Sequence, residues 1–443
     1  MIRVLRCLSL LSCCVAVTAT AWAQKNPTDE LIRMRQLHVK MYPEDYAGYD
    51  GLGAAYLQKG RETADSDYFE KAKTALDKSL DLLSDDPAAG SAMTHMAIVC
   101  MTEHRFQDAL SWAQNALALG SGDPSAWAIV GDALADMGDY ARAAEAYSKL
   151  ENPPGSADDK VGLSYERDSR LSFLRFVAGD SQGAVQLMRA ALRTAIDAHM
   201  PAENIAWSDS QLAEELFQIG DFDGAERAYL AALQEYPLYY RALGGMGKVR
   251  TGQGRYIEAA ELYEKAIAVV PYPEYAAALG DVFQKLHQPE AAKREYALVE
   301  FIGHLNQVNQ QIHNRDLALF YADHDMKLDE SLVLARREME VRRDIYSWDV
   351  LAWSLFKNGK FHEAADAISN ALQQGTKDSQ LLFHAGLIYE RLGDSAAAKE
   401  FLQRALKTNP HFHVLNEEAA EKALAKLDRE SAEIGKNQVR HVQ

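Results

Sequence analysis

Apolar residues along this chain recur at spacings of three and four, most of them alanine, and no stretch alternates apolar with polar positions for long. That periodicity runs one apolar stripe down an α-helix and gives strands no signal, so the pattern predicts an all-α protein. A longer period is laid over the short one. Gly247 is followed twelve residues later by Ala259, then by Tyr263, Ala266 and Pro271. The same ruler fits Ala213, Ala225, Tyr229, Ala232 and Pro237, and then Gly280, Ala292, Tyr296 and Val299. Gly131, Ala143, Tyr147 and Leu150 follow it, as do Ala97, Ala109, Ala113 and Ala116. Nearer the C-terminus come Ala352, Ala364, Ile368 and Ala371, then Gly386, Ala398, Leu402, Ala405 and Pro410. Where units abut, their first small residues lie 34 positions apart, as from Ala97 to Gly131, Ala213 to Gly247 and Ala352 to Gly386.

Such a unit reads as helix–turn–helix. Two helices that cross at close range need little side chain at the crossing, the place of Gly247 and Ala259. A ring four residues on fills the gap to the next unit, and Pro271 stops the second helix because it has no N–H to donate. The turns carry glycine at Gly138, Gly220, Gly254, Gly359 and Gly393, which closes each first helix. Three weaker units complete the series. Gly53, Ala72, Leu76 and Ser79 form one, with about seven extra residues assigned to its turn near Arg61–Asp67. Ser172, Ala184, Met188 and Ala191 form another, and Ala318 with Leu334 and Ala335 departs furthest from the ruler. On these residues the chain resembles the tetratricopeptide-repeat (TPR) family, whose helix-pair repeat has this length. The resemblance implies a right-handed superhelical solenoid of about 9–10 antiparallel helix pairs, of an exported bacterial type.

The expected organisation has TPR-like units over 24–150, a linker over 151–164 around Asn152-Pro153-Pro154-Gly155-Ser156, and central units over 165–300. Polar bridging helices with a degenerate unit follow over 301–344, then C-terminal units over 345–412 and a capping helix with a frayed tail over 413–443. Residues 1–23 read as a signal peptide. Arg3 and Arg6 precede an apolar run from Cys7 to Thr20, and Ala21-Trp22-Ala23 places small residues at the cleavage positions. A run of fourteen residues falls short of the ~20 apolar residues that a membrane-spanning helix needs. The expected location is therefore exported, periplasmic or secreted, with no integral span after cleavage. Three of the four cysteines lie in that leader, which leaves Cys100 without an internal partner.

Charge narrows the partners. The net charge is −17, and loss of Arg3 and Arg6 with the leader would make it −19, which discourages binding to a phosphate backbone. No nucleic acid is expected. Gly-rich phosphate loops, paired zinc-type cysteines, HExxH and a nucleophile elbow are all missing from the sequence, so no cofactor, metal site or catalytic residue is assigned. His411 and His413 flank Phe412 after a proline and read as a turn; His304 and His313 are a weak pair. An enzyme would need an unrecognised site, for which the Phe301–Arg343 region is the candidate.

A solenoid offers a concave face instead, lined by its first helices. On that stripe, rings and cations that packing within a unit does not require are the candidate partner-binding residues: Phe173, Phe176, Trp207, Phe217, Arg241, Lys248, Trp353 and Phe356. The plainer reading of each ring is packing of unit on unit. Some TPR proteins grip a peptide's terminal carboxylate with a Lys/Asn/Arg clamp, but the matching sites here hold Glu214, Gly244 and Asp281, so the full clamp is absent. The expected function is a non-catalytic exported scaffold or adaptor that binds a protein or extended peptide in envelope assembly or secretion. The alternative is a carbohydrate-associated component of polysaccharide export.

Overall fold

The computed structural model describes residues 26–83, 87–120, 124–151, 157–308 and 314–442, and residues 1–23, read from sequence as a signal peptide, lie outside them. Among these residues there are helices and no strand. After α1 (Pro27–Met41) the chain forms ten antiparallel pairs. These are α2 (Tyr46–Thr63) with α3 (Ser66–Leu83), α4 (Gly90–Thr102) with α5 (Phe106–Ala118), and α6 (Ala126–Asp136) with α7 (Tyr140–Ser148). The fourth to seventh pairs are α8 (Ala157–Val177) and α9 (Ser181–Asp197), α10 (Ala202–Gln218) and α11 (Phe222–Glu235), α12 (Tyr240–Gly252) and α13 (Tyr256–Val269), and α14 (Pro273–Lys285) and α15 (Pro289–Val308). The last three are α16 (Asn314–Asp323) and α17 (Leu328–Val341), α18 (Ile345–Lys357) and α19 (Phe361–Leu372), and α20 (Ser379–Arg391) and α21 (Ser395–Thr408), closed by α22 (Asn416–Val442). The fold is an all-α helical solenoid.

The repeat ruler maps onto the helix crossings. Ala97, Ala213, Ala259, Ala352, Ala364 and Ala398 have no exposed surface. Three of the four ring-site tyrosines lie on the glycine of their own unit's first helix: a Cβ added at Gly247 would stand 2.9 Å from the Tyr263 ring, and at Gly131 or Gly280 it would collide with Tyr147 or Tyr296. The turns combine two devices. Gly138, Gly179, Gly220, Gly254, Gly359 and Gly393 take φ of +71° to +84°, which closes the first helix. The following Asp139, Asp180, Asp221 or Asp394 then accepts an N–H from the first turn of the second helix.

Three boundaries differ from the sequence expectation. The seven extra residues of the first pair lie in the helices, not the turn, which is only Ala64 and Asp65. Seven residues make about two helical turns, so the added length keeps the apolar face in register. Helix α8 begins at Ala157, inside the stretch assigned to a linker; of that linker, residues 152–156 lie outside the described residues. The polar bridge over 301–344 resolves into the end of α15 and a regular eighth pair, α16 and α17, while residues 309–313 are outside the described set. In that eighth pair Ser331 serves as the small residue, and its hydroxyl donates to the Ala318 carbonyl at 2.8 Å.

The array curls until its two edges meet. The turn of the third pair docks on the connection after the eighth: the Arg343 N–H donates to the Asp136 carbonyl at 3.0 Å, and the Ile345 N–H donates to the Tyr140 hydroxyl at 2.9 Å. The turn of the fourth pair meets the connection after the ninth, where Gly179 faces the backbone of Gly375. The turn of the fifth meets the connection after the tenth, where the buried Asn409 amide donates to the Phe217 carbonyl at 2.8 Å. At each rung a glycine permits the approach, since a Cβ on Gly138, Gly179 or Gly220 would meet the carbonyl oxygen of Arg343, Gly375 or Thr408. The concave groove is thereby turned into a lumen.

Candidate functional site

First helices of the fifth to eighth pairs wall a cavity of about 240 Å³. Phe217, Lys248, Thr251, Glu274, Tyr275, Asp281, Leu319 and His324 line one side. Gln380 of α20 and the segment from His411 to Val414 close the other. In the sixth and seventh pairs the residue one position after the small residue, Lys248 or Asp281, lines this cavity, and from pair to pair its chemistry follows the ring behind it. Tyr147 donates its hydroxyl to Asp132 at 2.8 Å, Tyr229 to Glu214 at 3.1 Å, and Tyr296 to Asp281 at 2.8 Å. In the sixth pair that position is Lys248. Its Nζ lies 3.1 Å from Glu214 and 3.7 Å from Glu274, which ties three consecutive units together.

These charges shift one another. Enclosure disfavours the Lys248 charge, but Glu214 and Glu274 outweigh it and hold the ammonium above its ordinary pKa. Enclosure likewise works against the Glu214 carboxylate, and Lys248 with the Gln218 and Tyr229 hydrogen bonds outweighs it, so that pKa falls. Glu274 is raised, by burial first and by Glu214 and Asp316 next, against the pull of Lys248. His324 also carries a raised pKa: burial opposes the charge, and the Asp281 bond prevails. Its Nε2 is 2.8 Å from Asp281 Oδ1 and its Nδ1 2.7 Å from the Phe320 carbonyl. Both partners can accept, so the raised pKa favours the cationic ring, which fastens α16 to α14 through both nitrogens. Both nitrogens are engaged by protein partners. His413 Nε2 stands 3.9 Å from Asp281, yet among the described residues no three His, Cys, Asp or Glu side chains are grouped to hold a metal.

The eight residues singled out in the sequence fall into three settings. Lys248 and Phe217 line the cavity, Phe217 with only 1% of its surface exposed and the Lys248 ammonium 5.6 Å from its ring. Arg241 lies on the same helix as Lys248, exposed, with its guanidinium 5.2 Å from the Tyr240 ring centroid. Trp207 is partly buried, edge-on to Tyr165, on α10. Elsewhere, Phe176 is buried in α8 and Phe173 is exposed beside it. Trp353 is buried and stacks on His384 at 4.1 Å and on Phe356 at 5.0 Å, while its indole N–H donates to Asp323. Sequence reasoning missed the tyrosine–carboxylate pairs, Glu274 and His324. The pairs had a visible signal, a carboxylate fifteen residues before three of the four ring-site tyrosines; His324 had none, because its partner belongs to the preceding unit. Cys100 is buried, and burial pushes its thiol up to about 11.

Residues 82–157, 210–277 and 350–411 match the sequence model of the tetratricopeptide repeat. No curated protein sequence matches the chain. Among solved structures, a tetratricopeptide repeat protein from Parabacteroides merdae is 19% identical, with 60% of this chain and 98% of that one covered and a TM-score of 0.34. Yeast Tom70 is 12% identical over 86% of this chain and 97% of its own, with a TM-score of 0.34. The Cut9–Hcn1 hetero-tetramer of the APC/C is 12% identical over 90% and 93%, with a TM-score of 0.31.

Proposed function

Because the chain is a tetratricopeptide-repeat protein, we propose that it is a non-catalytic scaffold holding an extended peptide or protein segment against the lumen face of its first helices. The observation that carries this reading is the cavity itself, where apolar walls (Phe217, Tyr263, Tyr275, Leu319) alternate with fixed charges (Lys248, Glu274, Asp281). That mixture suits a chain with varied side chains. A sugar needs exposed ring faces to stack on, and Phe176, Phe217 and Trp353 turn theirs into protein, so the polysaccharide reading has less support. The doubly bonded His324 argues against acid–base catalysis in the cavity. Export to the periplasm or beyond rests on the leader pattern of residues 1–23, and a role in envelope assembly or secretion extends from it.

A photo-crosslinking residue at Thr251, in the cavity, is expected to capture a partner in native cell envelopes, whereas one at the convex Ile257 captures none. Trp207→Ala with Lys248→Glu should abolish that capture. Capture that is equal at both positions, or unchanged in the double variant, would overturn the lumen as the ligand-holding face.

A further inference from the structure

We propose that helix α1 is a dimerisation face, which pairs antiparallel with α1 of a second copy of this chain across a twofold axis. The helix is apolar on two sides. Ile32 and Val39 pack on the first pair, whereas Leu31, Met34, Leu37 and Met41 run down the outer side, with Tyr42 and Tyr46 beyond them. These six residues are 37% to 66% exposed. A helix that is apolar all round is a buried one, and a contiguous exposed patch of this kind marks a contact. The far end of the array shows what a solvated end requires: α22 leaves Glu418, Glu421, Lys422, Lys426, Asp428 and Arg429 exposed. Elsewhere in the array each second helix is covered by the first helix of its own unit. Helix α1 packs on α2 as a second helix packs on the next unit, yet no described helix lies along its outer side.

Area and charge point to the occupant. At about 200 Å² for a full side chain of this size, the six residues expose about 600 Å² together, so twofold pairing removes about 1,200 Å² from water, the lower bound for a specific protein pair. The charges along α1 suit its own reversed copy. The first turn holds Asp29 and Glu30, and the last holds His38 and Lys40. Ten residues return a helix to within about 80° of its starting direction, so Glu30 and Lys40 flank the same edge of the stripe. A twofold sets each edge against itself reversed, which brings Glu30 of one copy beside Lys40 of the other. Lys40 is exposed and, among the described residues, has no ion pair or hydrogen bond to give up; Glu30 is held by Arg33. An anionic bilayer fits less well. The chain carries a net charge of −17, and the outer side also holds Glu30 and the His38–Asp45 pair at 2.6 Å, polar groups that lipid would strip of water.

The test is the native mass of the full chain by light scattering, diluted from about 100 µM, a range that brackets the ~1 µM dissociation constant expected of so small an interface. The parent should show twice the chain mass at the top of the range and dissociate on dilution. Met34→Glu with Leu37→Glu should give the one-chain mass throughout, with helical content and the unfolding midpoint of the dilute parent retained, because both residues lie on the surface. Lys40→Glu should weaken the pair at least about tenfold, and Glu30→Lys added to it should restore part of the loss, a reciprocity that neither a bilayer nor a folded-back N-terminal segment would give. A one-chain mass for the parent at the highest concentration overturns the proposal, and flotation of that monomer with phosphatidylglycerol vesicles would assign α1 to a bilayer instead. A dimer that survives Met34→Glu with Leu37→Glu, or that is indifferent to Lys40→Glu, overturns it as well.

Discussion

One rule governs the residues of the lumen face. Where the ring site holds tyrosine, the residue after the small position is polar, as in Asp132 with Tyr147, Glu214 with Tyr229, Lys248 with Tyr263 and Asp281 with Tyr296. Where the ring site is apolar, so is that residue: Ile98 with Ala113, Phe173 with Met188, Trp353 with Ile368 and Leu387 with Leu402. The ring packs against the small residue, which brings a phenol hydroxyl out beside the next position, where a carboxylate can accept from it. Tyr296→Phe should therefore leave the buried Asp281 one donor short and cost about 1–3 kcal/mol. A lowered unfolding midpoint checks this; an unchanged one shows that the hydroxyl contributes nothing. The ruler of small residues was legible in the sequence because it follows from helix crossing distance alone. Candidate anchors were legible only as positions on a stripe, because whether Trp353 or Phe217 faces solvent or packing depends on what the next turn of the solenoid brings against it.

At the scale of elements, α8, α9 and α10 are joined by a titratable link. Ser172 Oγ lies 2.7 Å from the Ala184 carbonyl and 2.5 Å from Glu215 Oε1. The serine has one proton to share between two acceptors, an arrangement that a protonated Glu215, able to donate to Ser172, relieves. Burial raises its pKa to about 7 against the opposing Ser172 hydrogen bond. A carboxyl with a raised folded pKa stabilises in its neutral form: its contribution is complete below about 4.5 and is lost as pH rises to about 7, at up to about 1.4 kcal/mol per pH unit. Glu215→Gln keeps a donor and removes the titration. Its unfolding midpoint should exceed the parent's at pH 8 and match it near pH 4.5; a constant difference across that range would contradict the assignment. This link could not be foreseen from sequence, since Ser172 and Glu215 are 43 residues apart and occupy no special place in the repeat. Helix ends were foreseen where Gly and Asp punctuate the turn, and missed where length was added in whole helical turns, as in α2 and α3.

The whole molecule is a solenoid wound tightly enough for one turn to rest on the next. Turn glycines with the same backbone conformation divide into two groups: Gly138, Gly179 and Gly220 meet an opposing backbone, while Gly254, Gly359 and Gly393 have nothing within 4 Å. No local signal separates them, because the division is set by the pitch of the superhelix. Asparagine tolerates the left-handed conformation of all six, so Gly254→Asn and Gly393→Asn should be mild, whereas Gly179→Asn with Gly220→Asn should part the edges. Enclosure of the lumen depends on those edges staying together. The most direct test is a solution distance between spin labels on Ser181 and Lys377, which flank the Gly179–Gly375 rung. A single short, narrow distance in the parent that becomes long or broad in the Gly179→Asn, Gly220→Asn protein is the predicted result; a long or broad distribution in the parent itself would show an open groove and contradict the closed lumen.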